Sequence, residues 1–132
     1  MRILDKIDEI EKYLVEFESI MPNTFEKYSN IMEKAACERY FEKIIEAVVD
    51  LAFLVINEKN LEKPEDDKGA FDILLNNKII SKDTCEKLKD AKGMKNIISH
   101  QYGHIDNKIV FNSINEEFIG DVNYFLDQIK KI

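Results

Sequence analysis
The chain has 132 residues, of which 45% are hydrophobic and 34% charged, and it carries a formal net charge of −7. That composition excludes a disordered polypeptide and suffices for one core without disulfide staples. The acidic balance excludes a protein that coats nucleic acid nonspecifically, so any RNA contact has to be local.

With only four glycines and two prolines, and with Lys, Glu, Ile and Leu abundant, the chain favours long helices. Ile3, Ile7, Ile10, Leu14 and Phe17 recur every three or four residues and predict an amphipathic helix from residue 2 to about 20. Pro22 interrupts it, and Asn23 or Thr24 can cap the next helix. From Phe25 to Ile56 the apolar pattern runs without Gly or Pro, predicting one helix of roughly 35 residues with room for fraying or a bend near Ser29. A short helix is expected over Asp67–Asn76, and Ser81 is placed to cap another running from Lys82 to about Gln101, with Gly103 as its stop. Gly93 falls inside that helix, where it tolerates a close neighbour. Ile109-Val110-Phe111 reads as an extended or looped segment, and a last helix is expected from Ile114 to Ile129. The expected architecture is all-α: a single domain over residues 1–132, a mostly antiparallel bundle of four principal helices and one short one. Apolar residues on more than one face of the long helix, Phe53 and Ile56 among them, predict a homodimer.

The longest apolar run, Ala47–Leu54, is broken by Asp50 and is too short to span a bilayer. The beginning, Met1-Arg2-Ile3-Leu4-Asp5, is charged at once, unlike a signal peptide. No membrane association and a cytoplasmic location are therefore expected. Cys37 and Cys85 lie within helical patterns and read as reduced packing residues. No His/Cys/carboxylate set has metal-ligand spacing and no Gly-rich phosphate loop is present, so neither a metal nor a cofactor is expected.

The chemistry concentrates in Lys95-Asn96-Ile97-Ile98-Ser99-His100-Gln101-Tyr102, which sets a cation, an amide, an imidazole and a phenol beside an apolar pair. Lys87, Lys89, Lys92 and Lys95 form the densest basic cluster, just before His100. At about 100° per residue Asn96 and His100 share a helix face, whereas Lys95 and His100 project about 140° apart and flank a groove. A histidine with its ordinary pKa near 6.5 can give or take a proton at neutrality, and a neighbouring cation can offset charge developing on a phosphate. Asn96 can hold the imidazole tautomer or bind a phosphate oxygen, and the Tyr102 hydroxyl can donate, accept or receive a covalent group. The bland alternative is a histidine that caps or packs at a helix end, beside an ordinary core or interface tyrosine.

The order of features shifts the balance away from the bland alternative. The segment from Glu38 to Ala52, followed by Gly93-Met94-Lys95-Asn96-Ile97-Ile98-Ser99-His100-Gln101-Tyr102-Gly103-His104-Ile105-Asp106, resembles the HepT-like branch of the HEPN superfamily. That family's pattern is an arginine, four residues, a histidine, one residue and a tyrosine. His100 and Tyr102 match it, Asn96 matches the polar residue after the arginine, and Lys95 stands where the arginine would be. Lysine keeps the charge and loses the planar fork. The resemblance implies a helical bundle that dimerises around a shared cleft and acts as a toxin, a metal-independent endoribonuclease. It implies His100 as general acid/base, Lys95 as the phosphate-stabilising cation and Asn96 as a supporting group. Tyr102 would accept AMP from a partner nucleotidyltransferase antitoxin, placing negative phosphates where RNA must bind. The alternative is a non-catalytic nucleotide-binding or substrate-binding subunit of a nucleotidyltransferase.

Overall fold
A computed structural model describes residues 2–100 and 106–132. Helix α1 (Ile3–Ile20) buries Ile7, Ile10, Leu14 and Phe17, the stripe its spacing predicted. The expected single long helix is instead two: α2 (Phe25–Tyr28) and α3 (Ile31–Glu58). The division has a local cause. Asn30 Oδ1 accepts from the backbone N–H of Met32 at 3.0 Å and of Glu33 at 3.2 Å, capping α3 where the apolar periodicity alone would have continued. Thr24 caps α2 in the same way, accepting from Lys27 N–H at 3.2 Å. Helix α3 is the central element and buries Phe41, Ile44, Ile45, Val48, Leu51, Val55 and Ile56.

Helix α4 (Asp67–Asn76) and helix α5 (Lys82–His100) lie where the sequence placed them. The segment expected to be extended is helical. Asp106 Oδ1 accepts from Lys108 N–H at 3.0 Å and Ile109 N–H at 3.3 Å, starting α6 (Asn107–Ser113). Phe111 then packs its ring 5.2 Å from Tyr28 and 5.9 Å from Phe25. The cap and this aromatic contact outweigh the strand preference of Ile109-Val110-Phe111. A π-helical turn, Ile114–Phe118, joins α6 directly to α7 (Ile119–Lys130). The described residues thus form four principal helical runs and two short helices, α2 and α4, with no strand among them.

Cross-helix pairs set the topology. Lys6 reaches Asp50 and Glu16 accepts from Tyr40, so α1 and α3 are antiparallel. Lys130 bonds Glu11 while Phe118 packs on Phe17, so α1 and α7 are antiparallel too. Gln128 pairs with Ser81 and Asp121 with Lys87, so α5 opposes α7. The result is an up-down-up-down bundle in which the end of α5 and the start of α3 share one end. Cys37 and Cys85 are both buried free thiols. No helix of the described residues is long and apolar enough to cross a membrane.

Ile56, expected to need a partner's cover, is only 2% exposed, and Phe53 packs against the same core. A bundle of four helices surrounds α3 on more sides than a helical wheel reveals. The uncovered apolar surface lies elsewhere on that helix, at Ile31 (84% exposed) and Met32 (81%), followed by exposed Ala35 and Ala36.

Candidate active site
Helix α5 begins at Ser81, whose Oγ accepts from Thr84 N–H at 3.2 Å and from the Gln128 amide at 3.3 Å. Thr84, Cys85 and Leu88 anchor its first half in the core. Farther along, Ile98 is buried while its neighbour Ile97 is 47% exposed. One flank of the final turns is therefore fixed against the bundle and the other faces outward.

The four lysines do not form a basic patch. Lys87 lies 3.5 Å from Asp121 and 3.6 Å from Asp83, Lys89 2.9 Å from Asp72, and Lys92 3.1 Å from Asp67. Each ammonium is paired with a carboxylate of α4, α5 or α7. Lys95 makes the longest of these contacts, 3.9 Å to Glu46 of α3, with its side chain 17% exposed. It is the cation most readily shared with an incoming phosphate, because a contact this long is weak as a hydrogen bond and Glu46 is itself half in water.

The geometry separates the predicted residues as the helical angles required. Lys95 turns toward α3, Asn96 is half-buried, and His100 is exposed at the last described turn. An exposed imidazole can exchange protons with solvent or substrate directly. Tyr102 lies outside the described residues, as do Gly103 and Ile105; Asp106, the last position of the matched pattern, is the α6 cap. The residue that sequence reasoning missed is Glu46. In the sequence it is one of many charges on α3, and only the crossing of α3 and α5 brings it to Lys95. Among the described residues no group of three His, Cys, Asp or Glu side chains is arranged to hold a metal.

Comparison with known proteins agrees with the resemblance. The mRNA nuclease HepT of Shewanella oneidensis is 27% identical over 89 residues, which are 67% of this chain and 66% of that protein. A proposed RNase of Archaeoglobus fulgidus is 27% identical over 135 aligned positions, covering 98% of this chain and 96% of the relative. Among solved structures, the tri-AMPylated HEPN toxin of Shewanella oneidensis, in complex with an MNT antitoxin, superposes with a TM-score of 0.91. It is 22% identical, and the match covers 98% of this chain and 97% of that one. The sequence model of the family described as ribonuclease HepT-like matches residues 3–131, and the chain belongs to that family.

Proposed function
We propose that this protein is the toxin of a toxin–antitoxin pair, a homodimeric endoribonuclease that needs no metal and is silenced by AMPylation of Tyr102. The observation that carries this reading is the placement of Lys95, Asn96 and His100 at the outward end of α5, in a chain that matches a ribonuclease family along nearly its whole length. His100 moves the proton at the scissile phosphodiester, first as base and then as acid. Lys95 offsets the charge that builds on the phosphate, and Asn96, on the His100 side of α5, orients either the imidazole or a phosphate oxygen.

The dimer in this reading uses the start of α3. Ile31, Met32, Ala35 and Ala36 form an exposed apolar stripe whose second turn carries only small residues, suited to close approach of a second helix. The stripe is at the same end of the bundle as His100, so pairing there brings two imidazoles toward one cleft. A partner nucleotidyltransferase adds AMP to Tyr102 and fills that cleft with like charge.

The test is cleavage of RNA in EDTA by the purified, unmodified protein. His100→Ala is expected to slow it by about 10²–10⁴-fold, the usual contribution of a general acid/base. With ATP and the partner enzyme, wild type should gain AMP mass and Tyr102→Phe should not. The engagement of Lys95 by Glu46 favours a second reading, a non-catalytic nucleotide-binding subunit of the nucleotidyltransferase. Nucleotide binding by a clean dimer that cuts no RNA would establish that alternative.

A further inference from the structure
The residue stripe that ends in His100 also forms one wall of an unassigned groove. Gly93, Met94, Ile97 and Ile98 of α5 face Ile109 and Val110 of α6 across a cavity of about 420 Å³. This is within the range of about 300–1,000 Å³ typical of small-molecule sites. Three charged residues complete the lining: Lys68 of α4, Asp90 of α5 and Asp106. The Lys68 side chain reaches over Gly93, its ammonium 3.3 Å from where a Cβ would stand.

Its position relative to the proposed catalytic group comes from helix geometry. His100 is seven residues beyond Gly93, about 20° away in angle and about 10 Å farther along the axis. Ile97 lies between them on the same face. A nucleotide chain with its phosphate at His100 can therefore lay a neighbouring base along Ile97, toward the Lys68 ammonium that lies over Gly93.

We infer that this groove is a nucleobase subsite for the RNA strand, selective for guanine; the inference rests on the ribonuclease reading and names a determinant of its specificity. The aliphatic side chains receive the flat faces of the base, which every nucleobase offers. Selectivity comes from the carboxylates. Guanine presents an imino and an amino donor side by side, matching the two acceptor oxygens of one carboxylate. Adenine and cytosine present a single amino group, and uracil flanks its one donor with carbonyls that a carboxylate repels. Asp106 already commits Oδ1 to the α6 cap, so Asp90 is the better placed reader. The Lys68 ammonium, which lies over Gly93, supplies the countercharge for a phosphate.

The experiment measures two things on the full-length, unmodified protein: binding of GMP, AMP, CMP and UMP by calorimetry, and the bases flanking the cuts in a randomised RNA. Two variants alter the groove lining: Gly93→Leu, whose Cβ meets the flexible Lys68 tip and whose longer side chain fills the groove, and Ile109→Asp, at a side chain that is 60% exposed. GMP is expected to bind about tenfold or more tighter than UMP, with guanine beside the cut, and both variants should erase the preference. Binding of guanosine without its phosphate, weakened like GMP by Gly93→Leu but unaffected by Lys68→Ala, would assign the base and phosphate contacts as proposed. Equal binding of all four nucleotides, or a preference that survives both variants, overturns the inference. Variants that change only the oligomeric state overturn it too, by showing that a second copy covers the groove. RNA cut without base preference leaves the nuclease reading standing and removes the subsite. A guanine preference in nucleotide binding, lost on Gly93→Leu in a protein that cuts no RNA, does the reverse.

Discussion
Substituting Glu46 with glutamine tests whether the α3–α5 contact restrains the proposed active site. The glutamine keeps the size of the side chain and removes its charge, leaving the Lys95 ammonium without its carboxylate 3.9 Å away. At that distance two unit charges attract by about 1 kcal/mol in water and by about 4 kcal/mol at an effective dielectric of 20. Because the Glu46 side chain is 50% exposed, solvent screening governs, and the pair is worth about 0.2–1 kcal/mol. A substrate phosphate must compete with that carboxylate for Lys95. Glu46→Gln is therefore expected to speed RNA cleavage at low salt by up to about fivefold, the kinetic equivalent of 1 kcal/mol. Its thermal midpoint should fall by no more than about 5 °C. Cleavage of a labelled oligonucleotide, followed in EDTA at low and high ionic strength, provides the assay. In about 1 M salt, where the screening length is about 3 Å, the gain should disappear. Slower cleavage by a folded Glu46→Gln variant would refute the reasoning, since the carboxylate would then be assisting Lys95. A gain that persists in high salt would refute it as well, because its origin would not be electrostatic.

Three further outcomes are expected. The Tyr28 hydroxyl is buried with no hydrogen-bond partner among the described residues, and burial raises its pKa well above the ordinary phenol value; Tyr28→Phe should raise stability in urea by about 1 kcal/mol, and a loss would contradict the orphan hydroxyl. Phe118 packs 4.6 Å from Phe41 and 6.2 Å from Phe17 by ring centres, so Phe118→Ala should cost about 3–5 kcal/mol by calorimetry. Burial pushes the thiols of Cys37 and Cys85 from 9.0 up to about 11, with Asp72 adding to the effect at Cys85. The fold favours their neutral forms, so this contribution is complete below pH 9, declines as the unfolded thiols ionise, and is gone above about pH 11. Denaturant midpoints across that window, with Cys37→Ala and Cys85→Ala flattening the decline, check the sign; iodoacetamide at pH 8 should label neither thiol until the protein unfolds.

The helices with a clean apolar stripe were legible because burial on one face leaves a 3.6-residue period. Helices α1, α4 and α5 came through with boundaries close to those read from the residues. The misreadings occurred where a single side chain outvoted a pattern. Asn30 bonds two backbone N–H groups and divides α2 from α3, although the apolar residues on both sides remain in phase. Asp106 does the same for α6, starting a helix through residues whose local preference is extended. The surface beyond the core was harder still. Helical periodicity marks Phe53 and Ile56 as apolar but cannot say how many neighbours surround α3, whereas the exposed Ile31 and Met32 looked like ordinary members of its stripe.

The site divides along the same line. Lys95, Asn96 and His100 all lie on α5, so their angular relations follow from one helix alone. What each charge faces depends on packing between helices, and there the lysine cluster misled. Lys87, Lys89 and Lys92 are held within 3.5 Å by Asp121, Asp72 and Asp67, all distant in sequence from the motif except through the fold. Their neutralisation leaves these three lysines little long-range pull on the proposed phosphodiester substrate. Long-range attraction is weak, so the proposed RNA binding would rest on close contacts: Lys95, the apolar groove beside His100, and the second copy that the proposed dimer supplies. It also makes the proposed control by AMP effective. Where one loosely paired ammonium offsets the substrate phosphate, a few added phosphates at the neighbouring tyrosine are enough to reverse the sign of the local field.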